Sequence, residues 1–204
     1  MGGGTEILIV DSGRWGDLVR VTTSSRIFTA RSHPTIELPE SVRRASNSKV
    51  GVDRLVVGWR EWLALPGIGI PAIKAKVDTG ARTSSLHARE IEPFEGADGR
   101  EWVRFSLRPD LRHPELVIDC EAPASQHRQV RSSSGQPEDR FFIMTTVAIA
   151  GVEWEIELSL TCRKQMKFRM LLGREALRGR CLVEPHTSFL TGKKLAKYYR
   201  SLQR

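Results

Sequence analysis

The chain has 204 residues, 40% hydrophobic and 27% charged, with a formal net charge of +8. That length carries one domain with a real core, and no apolar run approaches the roughly 20 residues of a membrane-spanning helix. Three cysteines, Cys120, Cys162 and Cys181, with no Cys-x-x-Cys pair, argue against a disulfide scaffold. They suit a reducing, cytoplasmic setting and are expected to be small apolar residues of a β-core.

Residues 1–51 open on Gly2-Gly3-Gly4 and continue through Ser, Thr and Arg with little periodicity, which predicts a flexible, disordered leader. Within it, Val10-Asp11-Ser12-Gly13 follows an apolar run. The leader has no room for the second lobe that a dyad within one chain would need. From residue 52 the composition becomes that of a β-domain, expected to run to 192. Residues 55–59 and 61–65 read as strands, Pro66-Gly67 as a turn and residues 70–77 as a strand. In the last of these Ile73, Ala75 and Val77 alternate with Lys74 and Lys76.

Beyond the stretch at 78–86, residues 84–88 continue outward, 95–99 turn, and Val103, Phe105 and Leu107 mark another strand. Residues 109–114 turn the chain and 116–120 return it. Residues 125–138 read as a polar, Ser-rich loop. Phe141, Ile143, Thr145, Val147 and Ile149, then Val152, Trp154, Ile156, Leu158 and Leu160 around Ala150-Gly151, give the clearest period of two. The fold class is therefore all-β.

The basic charge is concentrated at the C-terminus. Residues 163–204 hold 12 Lys and Arg against Glu175 and Glu184, a net of +10, so residues 1–162 carry 20 basic and 22 acidic residues, a net of −2. A solvated face is the default reading and an acidic polypeptide the next. No zinc finger, helix-turn-helix or aromatic-basic RNA motif accompanies the charge, so nucleic-acid contact is expected only as incidental. In residues 193–204, Leu195, Tyr198, Tyr199 and Leu202 fall at near-helical spacing, which predicts a basic amphipathic tail helix.

The chemistry is concentrated at Asp78-Thr79-Gly80, where a strand delivers an acidic turn. A carboxylate that activates water must be held still, a task suited to the Thr79 hydroxyl, and the backbone must turn behind it at Gly80. Asp-Thr-Gly is the signature of aspartic proteases, though such tripeptides also occur in ordinary turns. A second stretch, Met170-Leu171-Leu172-Gly173-Arg174-Glu175, raises the odds. It resembles the apolar-apolar-Gly-Arg segment beside the catalytic loop of retropepsins.

Several segments in order, Gly58-Trp59-Arg60-Glu61, residues 76–88, Glu121-Ala122-Pro123, residues 132–135 and residues 166–177, resemble the RimB-like family. These are bacterial retropepsin-like proteases often labelled ATP-dependent zinc proteases. The likeness covers about residues 52 to 192. It implies a retropepsin-like closed barrel or sandwich, with one short helix after Leu-Leu-Gly-Arg. The label itself is not matched: no Gly-x-x-x-x-Gly-Lys-Ser/Thr and no His-Glu-x-x-His occurs, so neither cofactor nor metal is expected. His87 is the one histidine worth following.

The resemblance implies a homodimer in which Asp78 meets its own copy, because an aspartic protease needs two carboxylates and this chain offers one credible Asp. It implies that Thr79 and Gly80 support the catalytic loop, Thr79 by hydrogen-bonding across the dyad. Leu172 and Gly173 would pack behind it, and Arg174 would serve a structural ion pair. It also implies a flap within residues 126–137. The tip at Ser132, Ser133, Ser134 and Gly135 would hydrogen-bond to an extended substrate, with Arg82 and Arg131 facing acidic side chains. The family is associated with an enzyme that adds glutamates to the C-terminus of a small-subunit ribosomal protein. The implied activity is an aspartic endopeptidase acting on such an acidic polypeptide. A non-catalytic binding or regulatory module of the same glutamylation system is the alternative.

Overall fold

The computed structural model describes residues 20–22, 54–113, 115–131, 135–162 and 168–201. Its strands are β1 (Arg20–Thr22), β2 (Leu55–Gly58), β3 (Arg60–Leu65), β4 (Ile70–Asp78), β5 (Ser84–His87) and β6 (Arg89–Glu95). They continue with β7 (Glu101–Leu107), β8 (Val117–Arg131), β9 (Pro137–Ile149), β10 (Val152–Thr161), β11 (Met170–Gly173) and β12 (Cys181–Glu184). Helix is confined among the described residues to short 3-10 turns, α1 (Arg174–Leu177) and α2 (Tyr198–Ser201). The fold is all-β and retropepsin-like.

Six strands close on themselves in the order β10, β5, β11, β4, β3, β9, because β9 pairs both with β3 at Ala148↔Ala64 and with β10 over Val152↔Ile149 to Ser159↔Phe142. Closure removes the open edges that a sheet of this size would otherwise expose. The period-two signals account for it: Ile73, Ala75 and Val77 of β4 and Trp154, Ile156, Leu158 and Leu160 of β10 all point into one core. From β9 the sheet continues outward through β8, β7 and β6.

The structure departs from the sequence reading at several points. β5 does not run outward; all four residues are buried, with β5 parallel to β10 and antiparallel to β11. Much of the expected loop at 125–138 is hairpin, paired from Ala124↔Ile143 to Arg131↔Pro137. Backbone pairing holds these residues, so their side chains need no apolar alternation and gave no strand signal. β6 was missed for the same reason: it is a charged outer strand carrying Pro93, composition that blunts an edge. Within the expected leader, Arg20–Thr22 pairs with β8 against residues 117–119.

The C-terminal segment is not a detached tail. Tyr199 is buried and its hydroxyl donates to the Ala72 carbonyl at 2.5 Å. Phe189, Leu195, Ala196 and Tyr198 pack with it on a cluster of Trp62, Ala72 and Leu116. A buried carboxylate anchors this strap. Glu61 accepts from the backbone N–H groups of Gly58 and Leu190 at 2.7 and 2.9 Å and from the Thr191 hydroxyl at 2.7 Å. Of the cysteines, Cys120 is buried and Cys181 partly so, but Cys162 is exposed and is not a core residue.

Candidate active site

β4 runs outward to Asp78, the chain loops through residues 79–83, and β5 carries it back. β4 and β5 are not paired with each other along this stretch; β11 lies between them. β11 is parallel to β4, with Leu172 beside Val77 and Gly173 beside Asp78, and antiparallel to β5, with Leu171 beside Ser85. The loop thus straddles the end of β11 and is tied to the first turn of α1: Arg174 N–H donates to Ala81 O at 2.9 Å and Glu175 N–H to Arg82 O at 3.1 Å.

Only glycine fits where the two segments meet. A Cβ on Gly173 would lie 2.5 Å from the Thr83 carbonyl carbon and 2.8 Å from Arg82 O. The Gly173 N–H donates to Ser84 Oγ at 3.1 Å, and the Ser159 hydroxyl donates to Ser84 O at 3.0 Å. These two serines are buried parts of the loop's support that the sequence reading missed; for Ser84 the Thr-Ser-Ser run was the only available signal.

The Asp78 side chain is 26% exposed. Its Oδ1 accepts from the backbone N–H groups of Gly80 and Ala81 at 3.2 and 3.3 Å. These two backbone donors hold one carboxylate oxygen, and Thr79 is exposed beside it. Gly80 is explained by close approach: a Cβ there would sit 3.3 Å from Asp78 Oδ1. Oδ2 faces Lys76 Nζ at 3.5 Å. Lys74, Lys76 and Asp78 share one face of β4, as its period requires.

Arg174 departs from the expected ion pair. Its Nη1 donates to the Gly80 carbonyl at 3.3 Å, bracing the loop. Arg82 is exposed and stands 3.8 Å from Glu175 Oε1. Arg131 is exposed at the end of β8, and Gly135, in the left-handed region at φ 80°, begins the return to β9. Ser132, Ser133 and Ser134 lie outside the described residues.

The family model described as RimB-like, retropepsin-like aspartic endopeptidase RimB, matches residues 56–194, which include β4, the acidic loop and β11. The chain belongs to the RimB-like family. Proteins similar to this RimB-like chain include one named probable alpha-L-glutamate ligase from Shewanella pealeana, 44% identical over 142 residues, which span 70% of this chain and 31% of that one. Another of the same name, from Parasynechococcus marenigrum, is 47% identical over 139 residues, 68% of this chain and 30% of that one. The chain therefore spans about a third of the length of these relatives. A crystal structure of a Legionella pneumophila protein of unknown function superposes with a TM-score of 0.56 at 26% identity, covering 67% of this chain and 97% of that one.

The histidines of the RimB-like domain are dispersed. His87 is buried at the end of β5, and His127 stacks on Phe141 with centroids 4.3 Å apart. Burial above all, then the nearby Arg169, lowers the His87 pKa against an opposing hydrogen bond to the Thr161 backbone. Among the described residues no three of His, Cys, Asp and Glu converge, and no helix is long and apolar enough to cross a membrane.

Proposed function

We propose that this RimB-like chain is an aspartic endopeptidase in which Asp78 works with the Asp78 of a second copy, on an acidic, glutamate-rich polypeptide. The observation that carries the reading is the seating of Asp78. It is partly exposed at the start of a loop straddling β11, with one oxygen held by two backbone donors and the other facing Lys76 Nζ at 3.5 Å.

Two such carboxylates brought to about 3 Å share one proton. The ionised member takes a proton from water, whose oxygen adds to the scissile carbonyl carbon, while the protonated member donates to the carbonyl oxygen. Collapse of the tetrahedral intermediate breaks the C–N bond, and the amine leaves with a proton from the dyad. Lys76 Nζ stands 3.5 Å from Oδ2, so on this reading it must swing aside for a second carboxylate to approach that oxygen. The exposed Arg82 and Arg131 receive acidic side chains, and the segment containing Ser132, Ser133, Ser134 and Gly135 meets the substrate backbone.

The ligase-named relatives support glutamyl chemistry as the substrate class, because a segment resembling this chain makes up about a third of each. The same relation favours a second reading, a module that binds a glutamylated polypeptide or regulates a ligase without cleaving.

The experiment compares wild type with Asp78→Asn on a polypeptide carrying a C-terminal glutamate tail, with chelator present and ATP absent, alongside sedimentation of both proteins. Cleavage by wild type alone, by a species that sediments as a dimer, is the expected result. Equal cleavage by both overturns the Asp78 mechanism. Binding of the tail by both with no cleavage moves the regulatory reading ahead.

A further inference from the structure

Gly58-Trp59-Arg60-Glu61 joins β2 to β3, and the two ends of this run hold the C-terminal strap. A Cβ on Gly58 would collide with the Thr187 carbonyl oxygen, and the Glu61 carboxylate accepts from Leu190 and Thr191 as well as Gly58. The middle two residues are fixed through their backbone. Trp59 N–H donates to Thr187 O at 3.0 Å, Val77 N–H to Trp59 O at 2.9 Å and Phe189 N–H to Arg60 O at 2.9 Å. The side chains of Trp59 and Arg60 remain half-buried at the surface.

There they belong to a row of rings and cations. Phe168 meets Trp59 edge-on with centroids 5.9 Å apart. The Arg60 guanidinium carbon stands over Trp59 at 4.5 Å and over Phe189 at 5.0 Å, and Lys193 Nζ stands over Phe189 at 5.3 Å. Phe189 is held at φ 58°, in the left-handed region that a bulky side chain rarely occupies, and such a conformation persists only where its surroundings enforce it. In that conformation its ring meets both cations.

A ring orients a cation without neutralising it. Arg60 Nε donates to Ser188 Oγ at 3.1 Å, but its two terminal nitrogens find no acceptor among the described residues. Neither Arg60 nor Lys193 is paired with a carboxylate among those residues, since Glu61, next in the chain, turns to the strap instead.

We infer that Arg60 and Lys193, set among Trp59, Phe168 and Phe189, form a docking face for an acidic segment of a polypeptide. Arg60 presents its guanidinium fork to a side-chain carboxylate, and Lys193 adds a second positive charge. Arg60 is the register partner of Lys76, whose Nζ stands 3.5 Å from Asp78, so a chain reaching Asp78 can continue over this face. The inference rests on the acidic-polypeptide reading given above for Asp78, and holds whether or not that chain is cleaved. Single-stranded nucleic acid fits less well, because bases need open ring faces and cations already stand over Trp59 and Phe189.

The test is fluorescence anisotropy of a labelled oligoglutamate peptide with the full chain carrying Asp78→Asn, so that nothing is cut, at fixed ionic strength. Saturable binding is expected, weakened about tenfold or more by adding Arg60→Gln and about threefold by adding Lys193→Gln. Arg180→Gln serves as the control. It removes a cation that also stands over a ring, that of Trp154, but lies beyond the Leu55 end of the β2–β12 pair, and binding should be unchanged. Absence of saturable binding, equal loss in Arg180→Gln, or tighter Arg60-dependent binding of oligouridylate each overturns the assignment. Circular dichroism verifies the fold of Arg60→Gln; should that variant not fold, Lys193→Gln decides. Arg60-dependent binding without cleavage by wild type would leave this face standing and sink the peptidase reading, whereas cleavage with binding indifferent to Arg60 and Lys193 would do the reverse.

Discussion

Gly173 lies beside Asp78 in parallel register, and a methyl group on Gly173 would press into the Thr83 carbonyl 2.5 Å away. The obstacle is backbone, which cannot rotate aside as a side chain can. Gly173→Ala is therefore expected to destabilise the domain by about 1–3 kcal/mol, the usual cost of overpacking, and to displace the acidic loop. Urea denaturation checks the first effect. An Ala variant as stable as wild type would show that the loop yields freely.

Ser84→Ala removes the acceptor of the buried Gly173 N–H. The expected cost is about 1–3 kcal/mol, because the donor is left without a partner. Faster amide exchange at Gly173 than in wild type is the direct readout.

Glu61 ties the C-terminal strap to the barrel through bonds to Leu190 and Thr191 as well as Gly58. Replacing it with Ala orphans several donors at once, so a loss of at least about 3 kcal/mol is expected. Limited trypsin digestion should then cut at Lys193 and Lys194 sooner than in wild type. Unchanged digestion would mean that Tyr199 and its apolar neighbours hold the strap by themselves.

His87 makes stability depend on pH in a defined direction. Its pKa in the folded protein lies below the ordinary 6.5, so below that value the unfolded chain binds more protons than the folded one. Stability is expected to be flat above about pH 6.5 from this residue and to fall as pH drops from there to the folded-state pKa. Urea midpoints for wild type and His87→Gln, in phosphate-free buffers, should converge toward low pH. A pH profile of the same slope in the variant would assign the effect to other groups.

Arg82 stands 3.8 Å from Glu175 on the surface, a pairing expected to contribute no more than about 1 kcal/mol. On the proposed function, Arg82→Glu should raise KM for a glutamate-tailed substrate while leaving stability and kcat near wild type. A fall in kcat with KM unchanged would place Arg82 in loop positioning instead of substrate capture.

The all-β class and the two stretches at 78–80 and 170–174 were legible in the sequence because their causes are local. Apolar alternation in β4 and β10 states which faces are buried, and Asp-Thr-Gly and Leu-Leu-Gly-Arg state where the chain departs from that pattern. Tertiary structure decided the rest. β5 read as an outward continuation because four consecutive buried residues carry no period of two, and their burial comes from β10 and β11 on either side. The outer part of the β8–β9 hairpin read as loop because backbone pairing stabilises it without apolar side chains. The need for glycine at 173 comes from Thr83, ninety residues earlier in the chain and brought against it only when β11 enters between β4 and β5. The partners of Glu61 are likewise set by contacts across the fold, and charge composition alone says nothing of which charge is answered.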